Sequence, residues 1–320
     1  MKKTVVAICL LPFVFAAAAD EKPAAFGVKV KNASWDAWND KMRIGAKERS
    51  CVTWQKFKAV QPGLELLGRY KTPTTAEIAA NDWSVDGAAL DRDYSDFEAY
   101  KRVLPDLGAK HIRFTSGWAK TEQQKGVYDF AWIDKPVREA AAMGVKPWIT
   151  LCYGNPVYGS EYRLGSVIKP IIENAEAFTA WLKYVEALVG RYQDVVTEWE
   201  VWNEAFYQDA DYAKLFYETA KVIKRVQPKA EVWCTAVNQD DGYIAVLELL
   251  KKNGALDLAD RFIFHSYNPR PEDSIHRRFW PIGALVKRYS PKYEVMCGES
   301  GCPGQLEYAH AMCQREWTEY

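Results

Sequence analysis

The chain has 320 residues, 48% of them hydrophobic and 14% aromatic, including 13 tryptophans, so it can bury a large core. Its 42 Lys and Arg balance its 42 Asp and Glu, which excludes a basic field for nucleic acid and a polybasic patch for a membrane surface.

Residues 1–19 read as an export signal. Met1 to Lys3 give a positive start, Thr4 to Phe15 form an apolar run broken only by Pro12, and Ala16 to Ala19 supply small residues before Asp20. The run is too short to anchor in a bilayer. Cleavage near Ala19 would send the protein to the periplasm or outside the cell and remove Cys9. Cys51, Cys152, Cys234, Cys297, Cys302 and Cys313 would remain, in a compartment where pairing is permitted. Cys152 and Cys234 lie in strand-like runs and are expected as inert core residues. Residues 20–80 mix short strand-like patterns with Pro, Gly and Thr punctuation, and are expected to wrap the domain that follows.

From residue 81 a regular alternation begins. Strands are predicted at 81–90, 111–118, 146–154, 195–204, 231–237, 261–269 and 292–300. Helices are predicted between them, among them 94–109 with Ser95 as N-cap, an amphipathic 174–194, and 274–291 with a proline break; a last one covers 306–320. Such alternation argues an α/β fold with a parallel sheet and crossover helices. No GxGxxG or GxxxxGK[ST] occurs, which disfavours a nucleotide-binding open sheet. Polar residues collect instead at successive strand ends: Arg113 to Trp118, Tyr153 to Asn155, Asn203 and Glu204, Asn238 and Gln239, His265 to Asn268, and Glu299. That is the pattern of a (β/α)8 TIM barrel, whose sites are built on that rim. Residues 81–320 are thus the barrel domain. Seven strands are one too few, so either the N-terminal region supplies the eighth or the barrel is truncated before or within its last β/α unit; truncation is the preferred expectation.

Two strand-end glutamates, Glu204 and Glu299, are the minimum equipment for cleaving a glycosidic bond, one protonating the leaving oxygen and the other attacking or activating water. Glu200 shares the face of Glu204 but lies four residues deeper, where it is expected to pair with a cation. Trp118, Trp202 and Trp280 could offer platforms for sugar rings or simply pack. Asn155 could meet substrate or serve as a turn residue before Pro156, and His265 is either a site residue or a satisfied core histidine. With four His and no HExxH or Cys/His cluster, no metal and no cofactor is expected.

The tip EVWNE, the fragment GVYDFAWID, Arg113 in the second predicted strand and Glu299 ending the seventh resemble the retaining glycoside hydrolases of clan A, and within it family 39 and relatives. The similarity covers roughly residues 81 to 310, although Ala205 and Phe206 follow Glu204 where many relatives carry Pro. The resemblance implies that Glu204 is the acid/base and Glu299 the nucleophile of a double displacement. It also implies that Asn203 bonds the 2-hydroxyl of the reacting sugar, that Arg113 keeps Glu299 ionised, and that Tyr267 donates to it. The alternative for Arg113 is that it is the buried partner of Glu200. Two other classes stay open: a non-catalytic carbohydrate-binding barrel, which two glutamates argue against, and a barrel isomerase or lyase, which would call for a phosphate loop or carboxylate metal ligands where this chain has GESGCPG.

Overall fold

A computed structural model describes residues 6–8, 73–87, 90–93, 95–162, 167–237, 239–267 and 274–300. Eight parallel strands run in sequence order around a closed barrel: β1 (Val6–Ile8), β2 (Trp83–Asp86), β3 (His111–Thr115), β4 (Lys146–Leu151), β5 (Glu198–Val201), β6 (Glu231–Cys234), β7 (Arg261–Ser266) and β8 (Glu294–Ser300). The seven strands predicted from sequence are β2 to β8. The gap between β2 and β8 is held by only three residues, which pair with Trp83 to Val85 of β2 and, at Val6 alone, with Cys297 of β8. The truncation expected from sequence shows in that gap: where a full eighth β/α unit would stand there is only this three-residue pairing, from part of the run read as an export signal. A cleaved leader cannot also be a barrel strand, so the two assignments exclude each other.

The helices are α1 (Phe97–Tyr100), α2 (Trp118–Thr121), α3 (Ala131–Ala142), α4 (Lys169–Glu173), α5 (Ala175–Tyr192), α6 (Asp209–Val226), α7 (Gln239–Lys252) and α8 (Trp280–Val286). In α5, Ala177, Ala180, Trp181, Tyr184, Val185, Leu188, Val189 and Tyr192 form one buried stripe at helical spacing, and Asn174 caps the start by accepting from the N–H groups of Glu176 and Ala177. The cap of α1 is Asp96, which accepts from the Glu98 N–H, not Ser95. Pro105 lacks the N–H a continuing α-helix needs, so the predicted 94–109 helix gives way to a 3-10 segment at Lys101–Leu107. The predicted break at Pro281 is a π-helix, Ile275–Phe279, running into α8. Of the segment expected to wrap the barrel, 73–80 is described: Thr75 is buried and donates its N–H to Pro105 O (2.7 Å) and its hydroxyl to Ala109 O (3.0 Å). No helix among the described residues is long and apolar enough to cross a membrane.

Strands β2 to β8 are largely buried on both faces, the outer one under the helices. Inside, alternate residues stack in layers. Trp148, Trp233, Ile263 and Met296 form a separate apolar plug, with the two indoles 4.9 Å apart. Two residues further along their strands stand Thr150, Thr235 and His265, polar and close to the C-terminal rim.

Candidate active site

Arg113 on β3 sits above the plug, its guanidinium 5.2 Å from the Trp148 ring. It is fully enclosed, and its hydrogen bonds all go to charged or polar side chains. Its Nη2 donates to Glu200 Oε2 (2.8 Å) and Asn203 Oδ1 (2.7 Å), its Nε to Thr150 Oγ1 (2.8 Å), and its Nη1 to Glu299 Oε1. Glu200 is the buried partner expected from its depth, and Arg113 fills both roles left open for it: it neutralises Glu200 and holds Glu299. Thr150 and Thr235 complete the shell of Glu200, the Thr235 hydroxyl donating to Oε1 at 2.7 Å. The same hydroxyl accepts from the Glu204 N–H at 3.3 Å. One buried carboxylate thereby braces both the Arg113 that faces Glu299 and the backbone that carries Glu204.

The tip of β5 is strained. Trp202 and Glu204 adopt left-handed backbone, φ 68° and 52°, which costs a non-glycine residue roughly 1–2 kcal/mol. The surroundings hold it there: Trp202 N–H donates to Leu151 O (2.9 Å), Ala205 N–H to Ala236 O (3.0 Å), and the Trp202 ring is buried edge-on against Tyr153 and Trp181. The two reversals send Trp202 into the core, Asn203 toward Arg113 and Glu204 toward His265. Such strain held by over-determined packing marks functional tips.

Glu299 reaches the same space by a different device. On β8, Met296 pairs with Ile263 inside the barrel, and simple alternation would turn Glu299 outward. A bulge intervenes: Phe264 pairs with Cys297 and His265 with Glu299, leaving Gly298 as the extra residue and Glu299 facing inward. Only glycine fits there, because a Cβ on residue 298 would lie 2.3 Å from Ile263 Cγ2.

His265 Nδ1 lies 2.9 Å from Glu204 Oε1 and 3.5 Å from Glu299 Oε2, and ligand atoms of the three residues all fall within 4.8 Å of one another. Burial works to raise the Glu299 carboxyl, but the charges of His265 and Arg113 and the hydroxyl donated by Tyr267 hold it at about 2. Burial likewise opposes the charged His265 ring, yet Glu299 and the bond to Glu204 outweigh it and its pKa rises above the ordinary 6.5. His265 is thus engaged with both carboxylates and is no bystander of the core. Two carboxylates and an imidazole could also ligate a metal ion, but Arg113 already brings a fixed positive charge onto Glu299, which opposes a second cation there.

Three residues named from sequence, Trp118, Trp202 and Asn155, are not in this space. Trp118 is completely buried under α5, stacked on Tyr158 at 5.4 Å, with its indole N–H donating to Glu122 Oε2 at 2.6 Å; no sugar can reach it. Trp202 is core as well. Asn155 is the turn residue: Oδ1 accepts from Val157 N–H and Nδ2 donates to Glu122 O, so its polar atoms are spent within the loop. Trp280 is exposed at the start of α8, with its ring edge-on to His276. Asn238 and Asn268 lie outside the described residues. Tyr153 was legible only as a rim residue; its hydroxyl accepts from Asn203 Nδ2 at 2.9 Å and its ring carries Arg92 at 5.2 Å. Thr150 and Thr235 were missed, although the period-two position one step below a polar tip is the signal that finds them. Cys152 and Cys234 are buried free thiols, and burial pushes Cys234 up to about 12, in keeping with inert core residues.

Fold and geometry together define a class: a (β/α)8 barrel with two close, differently surrounded carboxylates at the C-terminal ends of its strands. No protein-family model and no curated protein sequence matches the chain. Solved structures do. A family 39 glycoside hydrolase from the gut symbiont Bacteroides cellulosilyticus WH2 superposes with TM-score 0.56 at 20% identity, over 73% of this chain and 52% of that one. A family 39 β-xylosidase from Caulobacter crescentus gives 0.52 at 20% identity, over 68% and 53%, and Cel5A of Thermotoga maritima gives 0.51 at 17% identity, over 73% and 87%. The resemblance to clan A glycoside hydrolases near family 39 therefore extends to the fold. The chain spans about half the length of the two family 39 structures.

Proposed function

We propose that the protein is a retaining β-glycosidase that hydrolyses O-glycosidic bonds of an oligo- or polysaccharide, with Glu204 as acid/base and Glu299 as nucleophile. The observation that carries the reading is the pair itself: facing oxygens within 4.8 Å, where a retaining pair requires carboxyl groups about 5–5.5 Å apart and an inverting pair about 6.5–9.5 Å. Their surroundings divide the work. Glu299, gripped by Arg113 and Tyr267, stays ionised and attacks the anomeric carbon, forming an ester as the glycosidic C–O bond breaks. Glu204, hydrogen-bonded to the His265 ring at 2.9 Å, gives a proton to the departing oxygen. Water then attacks the anomeric carbon, Glu204 takes its proton, and the ester breaks to release Glu299 and a sugar of unchanged configuration. Asn203, fixed between Arg113 and Tyr153, is oriented to bond the 2-hydroxyl as it gains acidity in the transition state. The chemistry needs no cofactor, and the ligand is carbohydrate.

A panel of β-glycosyl fluorides and β-linked oligosaccharides tests turnover; silence on all of them would favour the non-catalytic carbohydrate-binding barrel. The mechanism is tested with Glu204→Ala, for which turnover of natural glycosides should fall about 10³-fold. On the fluorides, whose leaving group needs little protonation so that the ester still forms, azide, which needs no general base, should then restore release of the trapped intermediate and yield a glycosyl azide of the substrate's own anomeric configuration. No acceleration, or the opposite anomer by NMR, would rule out Glu204 as acid/base of a retaining mechanism. Secretion is supported by the Met1–Ala19 pattern. An exported protein that begins at Asp20 would establish the leader and release the β1 position; one that retains Val6–Ile8 would refute it.

A further inference from the structure

Among the described residues, the large aromatic side chains exposed to solvent are Phe206, Tyr207, Tyr267 and Trp280. Phe206, Tyr207 and Tyr267 lie on the segments that directly leave the C-terminal ends of β5 and β7, at the mouth that holds the two carboxylates; Trp280 lies further on, at the start of α8. Folding alone gives no reason to collect exposed rings at one end of a barrel. Tyr207 is the most exposed, at 84%, and is held in left-handed backbone, φ 60°. Its loop is pinned on both sides: Ala205 N–H donates to Ala236 O, Phe206 N–H to Glu204 O (2.8 Å), and the Gln208 side chain accepts from Ile168 N–H. The backbone that carries the ring is therefore held on a fixed support three residues beyond Glu204 before any ligand arrives.

We infer that Tyr207, with Phe206 beside it, is a stacking platform for the sugar unit on the leaving-group side of the cleaved bond. The substrate is then a chain with at least one pyranose beyond the scissile linkage. This rests on the glycosidase reading, and the chemistry follows from it. The acid/base stands beside the departing oxygen, so the residues that continue from Glu204 border the leaving group rather than the sugar that becomes bonded to Glu299. A pyranose presents C–H groups on its faces, which pack on an aromatic face, while its rim hydroxyls stay in water.

The experiment compares two leaving groups on the full-length protein: a panel of β-linked hexasaccharides, whose leaving group covers the platform, and the matching β-glycosyl fluorides, whose leaving group is a single atom. In Tyr207→Ala, kcat/KM on the hexasaccharide relative to that on the fluoride should fall about tenfold, mostly through KM, and Tyr207→Phe should restore the ratio. A ratio that moves less than twofold in Tyr207→Ala, or a Tyr207→Phe variant as impaired as Tyr207→Ala, overturns the platform. So does a wild-type protein that cleaves the fluorides but none of the hexasaccharides, which would leave the glycosidase reading standing. A wild-type protein inert toward both sets brings down the glycosidase reading and the platform together.

Discussion

The two ends of this barrel both carry carboxylates and cations, but they arrange them differently. At the N-terminal end Glu198 faces Lys146 and, at 3.7 Å, His111, while Arg261 lies between Glu231 (3.1 Å) and Glu294 (3.3 Å). Those charges sit on ordinary strand starts, with partners partly open to solvent. At the C-terminal end one enclosed guanidinium serves Glu200 and Glu299 together, Glu204 leans on His265, and the backbone is strained at Trp202, Glu204 and Tyr207. The lower end spends its charges on holding strands in place. The upper end turns two of its carboxylates, Glu204 and Glu299, toward one another at the mouth, which is what a site for a cationic transition state needs.

The contrast is broken most severely at Glu299. Glu299→Gln should lower kcat on every substrate by about 10⁴-fold or more, since no ester can form. Retained turnover in steady-state assays would move the nucleophile elsewhere. Next comes Glu200→Gln, which leaves Arg113 buried with half its countercharge. Breaking such a pair costs about 3 kcal/mol or more, seen as a midpoint about 10 °C lower, and activity should fall with it because the brace on both glutamates loosens. A variant as stable as wild type would deny Glu200 this role.

A third test sharpens the comparison by pH. The folded-state pKa of His265 is raised above its unfolded value near 6.5, so the stability it contributes is fully present below pH 6.5 and is lost as pH climbs through the raised value. His265→Asn should therefore lose more stability at pH 5.5 than at pH 9 in urea titrations; an equal loss at both would mean the ring is not charged in the native site. The smallest effect belongs to the lower end. Lys146 is 42% exposed, its ammonium stays solvated, and His111 remains beside Glu198, so Lys146→Met should cost about 1 kcal/mol or less and leave kcat unchanged. A large loss of turnover there would erase the distinction between the two ends.

The seven strands, the parallel barrel and the two glutamates at strand tips were legible from sequence because they rest on local signals: apolar runs of strand length, helical periodicity between them, and polar residues at successive run ends. The depth of Glu200 was legible too, from period two alone. Other features depended on contacts between distant segments. Trp118 looked like a rim aromatic, yet the stack formed by Tyr158, Trp181 and Tyr184 encloses it. The inward aim of Glu299 follows from a bulge opposite Phe264 and His265, which no alternation within β8 could give. That Arg113 serves Glu200 and Glu299 at once was undecided until β3, β5 and β8 met around one axis. Sequence patterns fix which face of an element is apolar and where it ends; which side chains share a guanidinium, and which ring is left in water, is set by the closure of the barrel, because those are properties of residues nearly two hundred positions apart brought to hydrogen-bond distance.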